Sequence, residues 1–299
     1  MFITHWITRF FLVLCLTISS AMSQEHRTVV TLPAGSQTDI IARSMSAVFS
    51  RHTGQKLLIE NIPGAETLIG TMRWRNQAMP IIFTSSSQMI WNIVQKPDLP
   101  YKDSDFDHII YLGSTPAIWI VNADTPIRDL QDLVKSKNTR IGGYVPAYNE
   151  NFLSLQRKFN TSAILVNYKG APQVLNDVVA GHIEAGLIPV TPGLIEFVNQ
   201  GKIRMIGSSY HKEIRIGDYL IPSVPKTLGV DGFSGFVGIA LNPTLSKEQA
   251  EFLRKNLWLS FKDESVQKLV NDLNFLPDAS NDPKWIADHY SRLRANLTK

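Results

Sequence analysis

Short apolar runs alternate along this chain with longer stretches in which apolar residues recur every three or four positions. Val29-Val30-Thr31-Leu32 predicts a buried strand, and residues 33–37 a turn. Ile41, Met45, Val48, Phe49 and His52 then recur at helical spacing until Gly54, a helix stop. Leu57-Leu58-Ile59 predicts a second strand, residues 68–74 a short helix, and Ile81-Ile82-Phe83-Thr84 a third strand. The order strand, helix, strand, helix, strand predicts a parallel sheet covered by helices.

The same order returns downstream. Leu130, Leu133 and Val134 lie on a helix, and Arg140-Ile141-Gly142 ends a strand before a long turn. Ile164-Leu165-Val166, Ala185-Gly186-Leu187-Ile188 and Arg204-Met205-Ile206 predict strands, with helices between them stopped by Gly181 and Gly201. Two further runs, 117–121 and 236–241, are apolar throughout and predict strands that cross between the two units. The expected division is therefore a first lobe of residues 24–120 plus 237–299 and a second of 121–236. The last stretch, 246–299, predicts mostly helix; Ser246 and Gln249 have capping-box spacing, and Leu253, Leu257 and Phe261 form a packing stripe.

The 299 residues are 44% hydrophobic and 19% charged, the composition of a globular chain with a real core. The net charge is +4 without long Lys/Arg blocks, which argues against a nucleic-acid partner. His5 and Arg9 precede an apolar run over 10–18, and small residues follow. That pattern predicts a secretory signal peptide over 1–23, cleaved after Ala21-Met22-Ser23 to leave Gln24 first. The alternative is an uncleaved anchor, for which the run is short. Cys15, the single cysteine, lies inside that run, so the exported chain has no disulfide and no thiolate metal site. The seven histidines are scattered, and no hydrolase, zinc or phosphate-loop motif is present. No cofactor and no metal are expected.

The stretch VVTLPAGSQTDIIARSMSAVFSRHTGQKLLIENIPGAETLIG resembles the opening of the substrate-binding components of tripartite tricarboxylate transporters, the Bug family. The first strand, Pro33-Ala34-Gly35, Thr38-Asp39, Arg43, Gly54, Glu60-Asn61, Pro63-Gly64-Ala65 and Gly70 carry the likeness. Later stretches, among them NYKGAPQVLNDVVAGHIEAGL, extend it over about residues 28 to 277. The resemblance implies an α/β, two-lobed periplasmic binding protein fold, each lobe a mostly parallel sheet flanked by helices. It implies a monomer that captures a small carboxylate in the cleft, delivers it to membrane permease subunits and performs no chemistry on it. A sensor feeding a receptor would have the same chain, and a secreted enzyme is the remaining alternative.

The resemblance places ligand contacts on two loops. In the first, Ala34, Gly35, Ser36, Thr38 and Asp39 precede a helix, whose N-terminus offers free N–H groups to a carboxylate. The competing role for Thr38 or Asp39 is a helix cap. The family's usual second glycine is replaced by Ser36. In the second, Tyr144, Pro146, Ala147, Tyr148 and Asn149 stand where the family has small residues; the tyrosines either cover the ligand or point away. Ser85, Ser86, Lys169, Gly170 and Thr191 follow predicted strands and complete the candidate set; Lys169 is either a counter-charge or a surface lysine. The expected carboxylate rest is the backbone near Gly35, Ser36 and residues 144–149.

Overall fold

The computed structural model describes residues 24–276 and 279–297. The signal-peptide reading, with Cys15, lies outside the described residues.

Strand β1 (Glu25–Val30) leads into helix α1 (Gln37–Thr53), which ends on Gly54 in the left-handed conformation. Strand β2 (Lys56–Asn61), helix α2 (Leu68–Asn76) and strand β3 (Ile81–Ser85) follow. A π-helical turn (Ser87–Trp91) and a last helical turn (Asn92–Gln95) come next, unannounced by the apolar pattern. Strand β4 (Asp107–Pro116) then carries the chain to the second unit.

The second unit holds β5 (Ile118–Asn122), α3 (Leu130–Lys135), β6 (Arg140–Gly143), α4 (Pro146–Phe159), β7 (Ile164–Asn167), α5 (Ala171–Val179), β8 (Ala185–Ile188), α6 (Pro192–Asn199) and β9 (Ile203–Ser208). A hairpin, β10 (Ile214–Ile216) with β11 (Tyr219–Ile221), and a short helix α7 (Val224–Leu228) lead to β12 (Ser234–Leu241). Helices α8 (Lys247–Lys262), α9 (Glu264–Asp272) and α10 (Pro283–Leu297) close the chain. The Ser246–Gln249 capping box forms as expected.

The two large sheets share one plan. The first has the order β2-β1-β3-β12-β4 and the second β7-β6-β8-β5-β9. In each, four strands run one way and one runs against them: β12 in the first, β5 in the second. The antiparallel strand is the one that has just crossed from the other lobe, so it enters its sheet from the cleft end.

This corrects two expectations. The crossing runs do not span the lobes; each is a full member of one sheet. The division also moves by three residues at each crossing, because residues 118–120 pair with β8 and β9 while residues 234–236 pair with β4.

Burial explains the arrangement. Ile41, Met45 and Phe49 of α1, Leu253, Leu257 and Phe261 of α8, and Val266 of α9 pack on one face of the first sheet. A second apolar cluster begins on the other face of that sheet, at Val29, Ile82 and Tyr111, and continues into Ile118, Ile120, Leu187 and Val174 of the second lobe. The lobes are thus packed together across the seam that holds the site.

Candidate inter-lobe binding site

The carboxyl ends of β1, β3, β4, β6 and β8 all face this seam, the position where open α/β sheets place their ligands. The first lobe contributes Leu32, Ser36, Gln37, Thr38 and Ser85 to Ser87 to a small cavity there; Thr115 and residues 235–237 floor it. Tyr144, Val145, Tyr148 and Pro189 close it from the second lobe. No charged side chain lines it. Its volume is about 30 Å³, room for one or two waters.

The first loop is organised by Asp39. Its Oδ2 accepts the Gly35 N–H at 2.9 Å; its Oδ1 accepts from Asn61 at 2.9 Å and pairs with Arg43 Nε at 2.9 Å. Asn61 also donates to Leu32 O. Asp39, Arg43 and Asn61, all part of the family resemblance, therefore form a bracket that holds the turn, and the carboxylate that would have repelled an anion is neutralised inside it.

Gly35 sits at φ +78°, which glycine adopts at little cost. Its N–H belongs to Asp39, so Gly35 is a turn former and not an anion donor, a correction to the expected role. Gly35→Pro would break the turn instead of testing a ligand contact, since proline fixes φ near −65°.

Ser36 is the N-cap of α1. Its Oγ accepts the Asp39 N–H at 3.3 Å, which leaves its O–H free to donate toward the cavity. The Ser36 N–H bonds to Pro33 O and the Ile40 N–H to Ser36 O. On the first turn of α1 the N–H groups of Gln37 and Thr38, the N1 and N2 positions, have no acceptor among the described residues, and both residues line the cavity.

Gln37 was not among the candidate residues. Its side chain donates to Leu273 O at 3.0 Å and, across the seam, to Val190 O at 3.3 Å. The available signal was its place in the first loop; a bond to a residue 153 positions away leaves no local trace.

The second loop differs from expectation. Pro146 opens α4 and has no N–H, and the Tyr148 and Asn149 N–H groups both bond to Val145 O. Pro146 and Ala147 are buried and do not line the cavity. Three of the donors expected of this loop are thus removed, while the side chains of Tyr144, Val145 and Tyr148 line the cavity.

Tyr144 and Tyr148 meet edge to face with centroids 5.6 Å apart, and the Tyr148 hydroxyl lies 3.2 Å from Thr115 Oγ1. Burial pushes the Tyr144 phenol well above its ordinary value and the Tyr148 phenol up to about 12, so both remain O–H donors at neutral pH.

Ser85 bonds to Gln88 through both its N–H and its hydroxyl, and the Gln88 amide reaches Thr71 Oγ1 at 2.9 Å. The π turn brings the buried Ser87 hydroxyl to the cavity with no partner of its own.

The other candidates lie outside this cavity. Ala34 is exposed. Thr191 caps α6, its Oγ1 accepting the Leu194 N–H at 3.2 Å. Gly170 precedes α5 and packs against Pro33 of the first lobe; a Cβ there would lie 2.6 Å from Pro33 Cδ. Asn149 and Lys169 line a second space of about 250 Å³ on the far side of Tyr144, with Thr67 and Asn167. Lys169 is exposed. Among the described residues, no group of three or more His, Cys, Asp or Glu side chains could hold a metal ion, and no helix is long and apolar enough to cross a membrane.

The sequence profile of the family described as "Tripartite tricarboxylate transporter family receptor" matches residues 41–257. A UPF0065 protein from the tcbD-tcbE intergenic region of Pseudomonas sp. (strain P51) is 24% identical over 217 residues, 69% of this chain and 63% of that protein. Protein BugT of Bordetella pertussis (strain Tohama I) is 24% identical over 190 residues, 60% of this chain and 58% of its own. The chain thus matches about 60% of the length of these curated relatives.

MatC from Rhodopseudomonas palustris, solved with bound malate, superposes with a TM-score of 0.79 at 18% identity, covering 91% of this chain and 97% of that one. An R. palustris protein solved with adipate gives 0.79 at 19%, covering 93% and 96%. At these identities the likeness shows the fold, a two-lobed periplasmic binding protein fold. With the family profile spanning well over half of its length, this chain belongs to the tripartite tricarboxylate transporter receptor family.

Proposed function

We propose that this protein is an extracytoplasmic solute-binding protein that takes a small carboxylate into the inter-lobe cavity and hands it, unchanged, to the permease subunits of a tripartite tricarboxylate transporter. The observation that carries this reading is the cavity's chemistry. Two unpartnered N–H groups at the start of α1, those of Gln37 and Thr38, point their helix end at a space lined by hydroxyls and free of charged side chains. Such an end favours an anion without a basic side chain. The Ser36, Ser87, Tyr144 and Tyr148 hydroxyls supply further donors. The relatives solved with malate and adipate bind acids on the same fold, which supports the choice of ligand class.

The cavity's 30 Å³ is smaller than any such acid. Binding on this account therefore requires the lobes to part along the seam and close again around the ligand, as two-lobed binding proteins do by hinge motion. Export through the cleaved leader would put the protein where the permease collects its cargo.

A thermal-shift screen tests the reading. Ligand held at a hundred times its Kd stabilises the folded state by about 2.7 kcal/mol. The expected result is a raised melting temperature with one or more carboxylates and none with the matching carboxamides. A protein that responds to no acid, or equally to acid and amide, contradicts it.

A further inference from the structure

We propose that the acid this protein prefers is a monocarboxylate with an extended apolar body, its head in the small cavity and its body along a neighbouring groove. The proposal rests on the carboxylate reading above and adds the class of acid. The groove has a volume of about 600 Å³ and shares Ser86 and Phe236 with the head cavity, so the two spaces meet at one wall. One side is apolar: Ile90, Trp91 and Val94 from the turns after β3, Phe233 just before β12, Phe236 within it, and Leu293 of α10; Gln95, Glu150, Arg157, Asp231 and Ser234 line the rest. Trp91 and Phe233 meet edge to face at 5.3 Å and form a broad aromatic wall.

Charge at the groove disfavours a second carboxylate. Its one basic side chain, Arg157, is ion-paired with Glu150, and Asp231 adds another negative charge. A di-acid lying along the groove would bring its far end toward those carboxylates. The alternative anchor for a second carboxylate is Lys169 on the opposite side of Tyr144, but that amine is exposed, and ion pairs to solvated lysines contribute little. The ligand's own apolar surface, drawn from water against the half-buried Val94, Phe233 and Leu293, is the larger available gain.

Calorimetry on the purified protein with octanoate, 4-phenylbutanoate, propionate and succinate decides the matter. The expected result is that octanoate or 4-phenylbutanoate binds at least tenfold more tightly than propionate and succinate. Val94→Asp, a change at a half-buried position, should weaken the long acids tenfold or more and leave propionate unchanged. Leu293→Asp gives the same test from α10, and a thermal melt shows that each variant is folded. Tighter binding of succinate than of octanoate, unaffected by Val94→Asp, overturns the proposal and leaves the carboxylate reading standing. Loss of succinate binding in Lys169→Ala would then assign the second carboxylate to that lysine. Binding of none of the four acids overturns the proposal, and the thermal-shift screen then decides whether the carboxylate reading falls with it.

Discussion

At the scale of single residues, the account turns on which N–H groups remain free. Asp39 takes the Gly35 N–H and Ser36 takes that of Asp39, so the turn is satisfied internally and Gln37 and Thr38 are left to a ligand. Position 37 offers a clean test. It is the N1 position, where proline is tolerated, and Ser36 already has the extended conformation (ψ 157°) that a following proline requires. Gln37→Pro deletes the N–H together with the side-chain amide; Gln37→Ala deletes the amide alone. A hydrogen bond to a charged group contributes about 1.5–3 kcal/mol, and each 1.4 kcal/mol is tenfold. The proline variant is therefore expected to bind its acid about tenfold to a hundredfold more weakly than the alanine variant, by calorimetry. Equal affinities would place the carboxylate elsewhere. Sequence reading reached this loop because strand, turn and helix N-terminus are local features. It chose Gly35 over Gln37 because the competing acceptor, the Asp39 carboxylate, declares itself only when its orientation is known.

At the scale of elements, the strands and helices were legible because their apolar periodicities are strong: Ile41, Met45, Val48 and Phe49 of α1 are all buried, as are Ile81, Ile82 and Phe83 of β3. The antiparallel insertion of β5 and β12 was not legible, since an apolar run has no direction until its neighbours are known. The π turn after β3 was missed for a related reason: Ser87 and Gln88 look like a polar loop, yet both are buried, Gln88 between Thr71 and Thr31. The second loop has fewer donors than a helix N-terminus suggests: Pro146 has no N–H, and those of Tyr148 and Asn149 are taken by Val145 O. Lobe contact is sharpest where Pro33 meets the turn before α5. Gly170 has extended backbone, so alanine fits it without strain, yet its Cβ would lie 2.6 and 2.7 Å from Pro33 atoms. Gly170→Ala is thus expected to melt normally but to close incompletely. Its affinity should fall about tenfold, on the order of 1.4 kcal/mol, with a larger radius of gyration by small-angle scattering at saturating ligand. An unchanged radius and affinity would show that this contact does not limit closure.

At the scale of the whole molecule, one apolar cluster joins both lobes, while α10 ties the chain's end back to the first. Arg294 on α10 donates to Met89 O at 2.8 Å and to Asp103 at 3.2 Å, and His108 approaches the same carboxylate at 3.1 Å. Burial alone would raise the Asp103 pKa, but the hydrogen bond from His108 and the charges of His108 and Arg294 outweigh it and hold the carboxyl below its ordinary range. A carboxyl depressed in the folded state contributes stability that is full above its unfolded value, about 3.9, and is lost as pH falls through the lower folded value. Asp103→Asn should therefore lower the melting temperature at pH 7 and flatten its decline from pH 5 to 3; parallel wild-type and variant curves would contradict this. The central claim is that a carboxylate rests on the first turn of α1 between the closing lobes. Amide NMR on the nitrogen-15-labelled protein, titrated with the acid found in the thermal-shift screen, addresses it most directly. The account predicts that the Gln37 and Thr38 N–H resonances move downfield on saturation, the mark of a new hydrogen bond to an anion, while that of Gly35 stays with Asp39. Saturation that leaves the Gln37 and Thr38 resonances in place would contradict it.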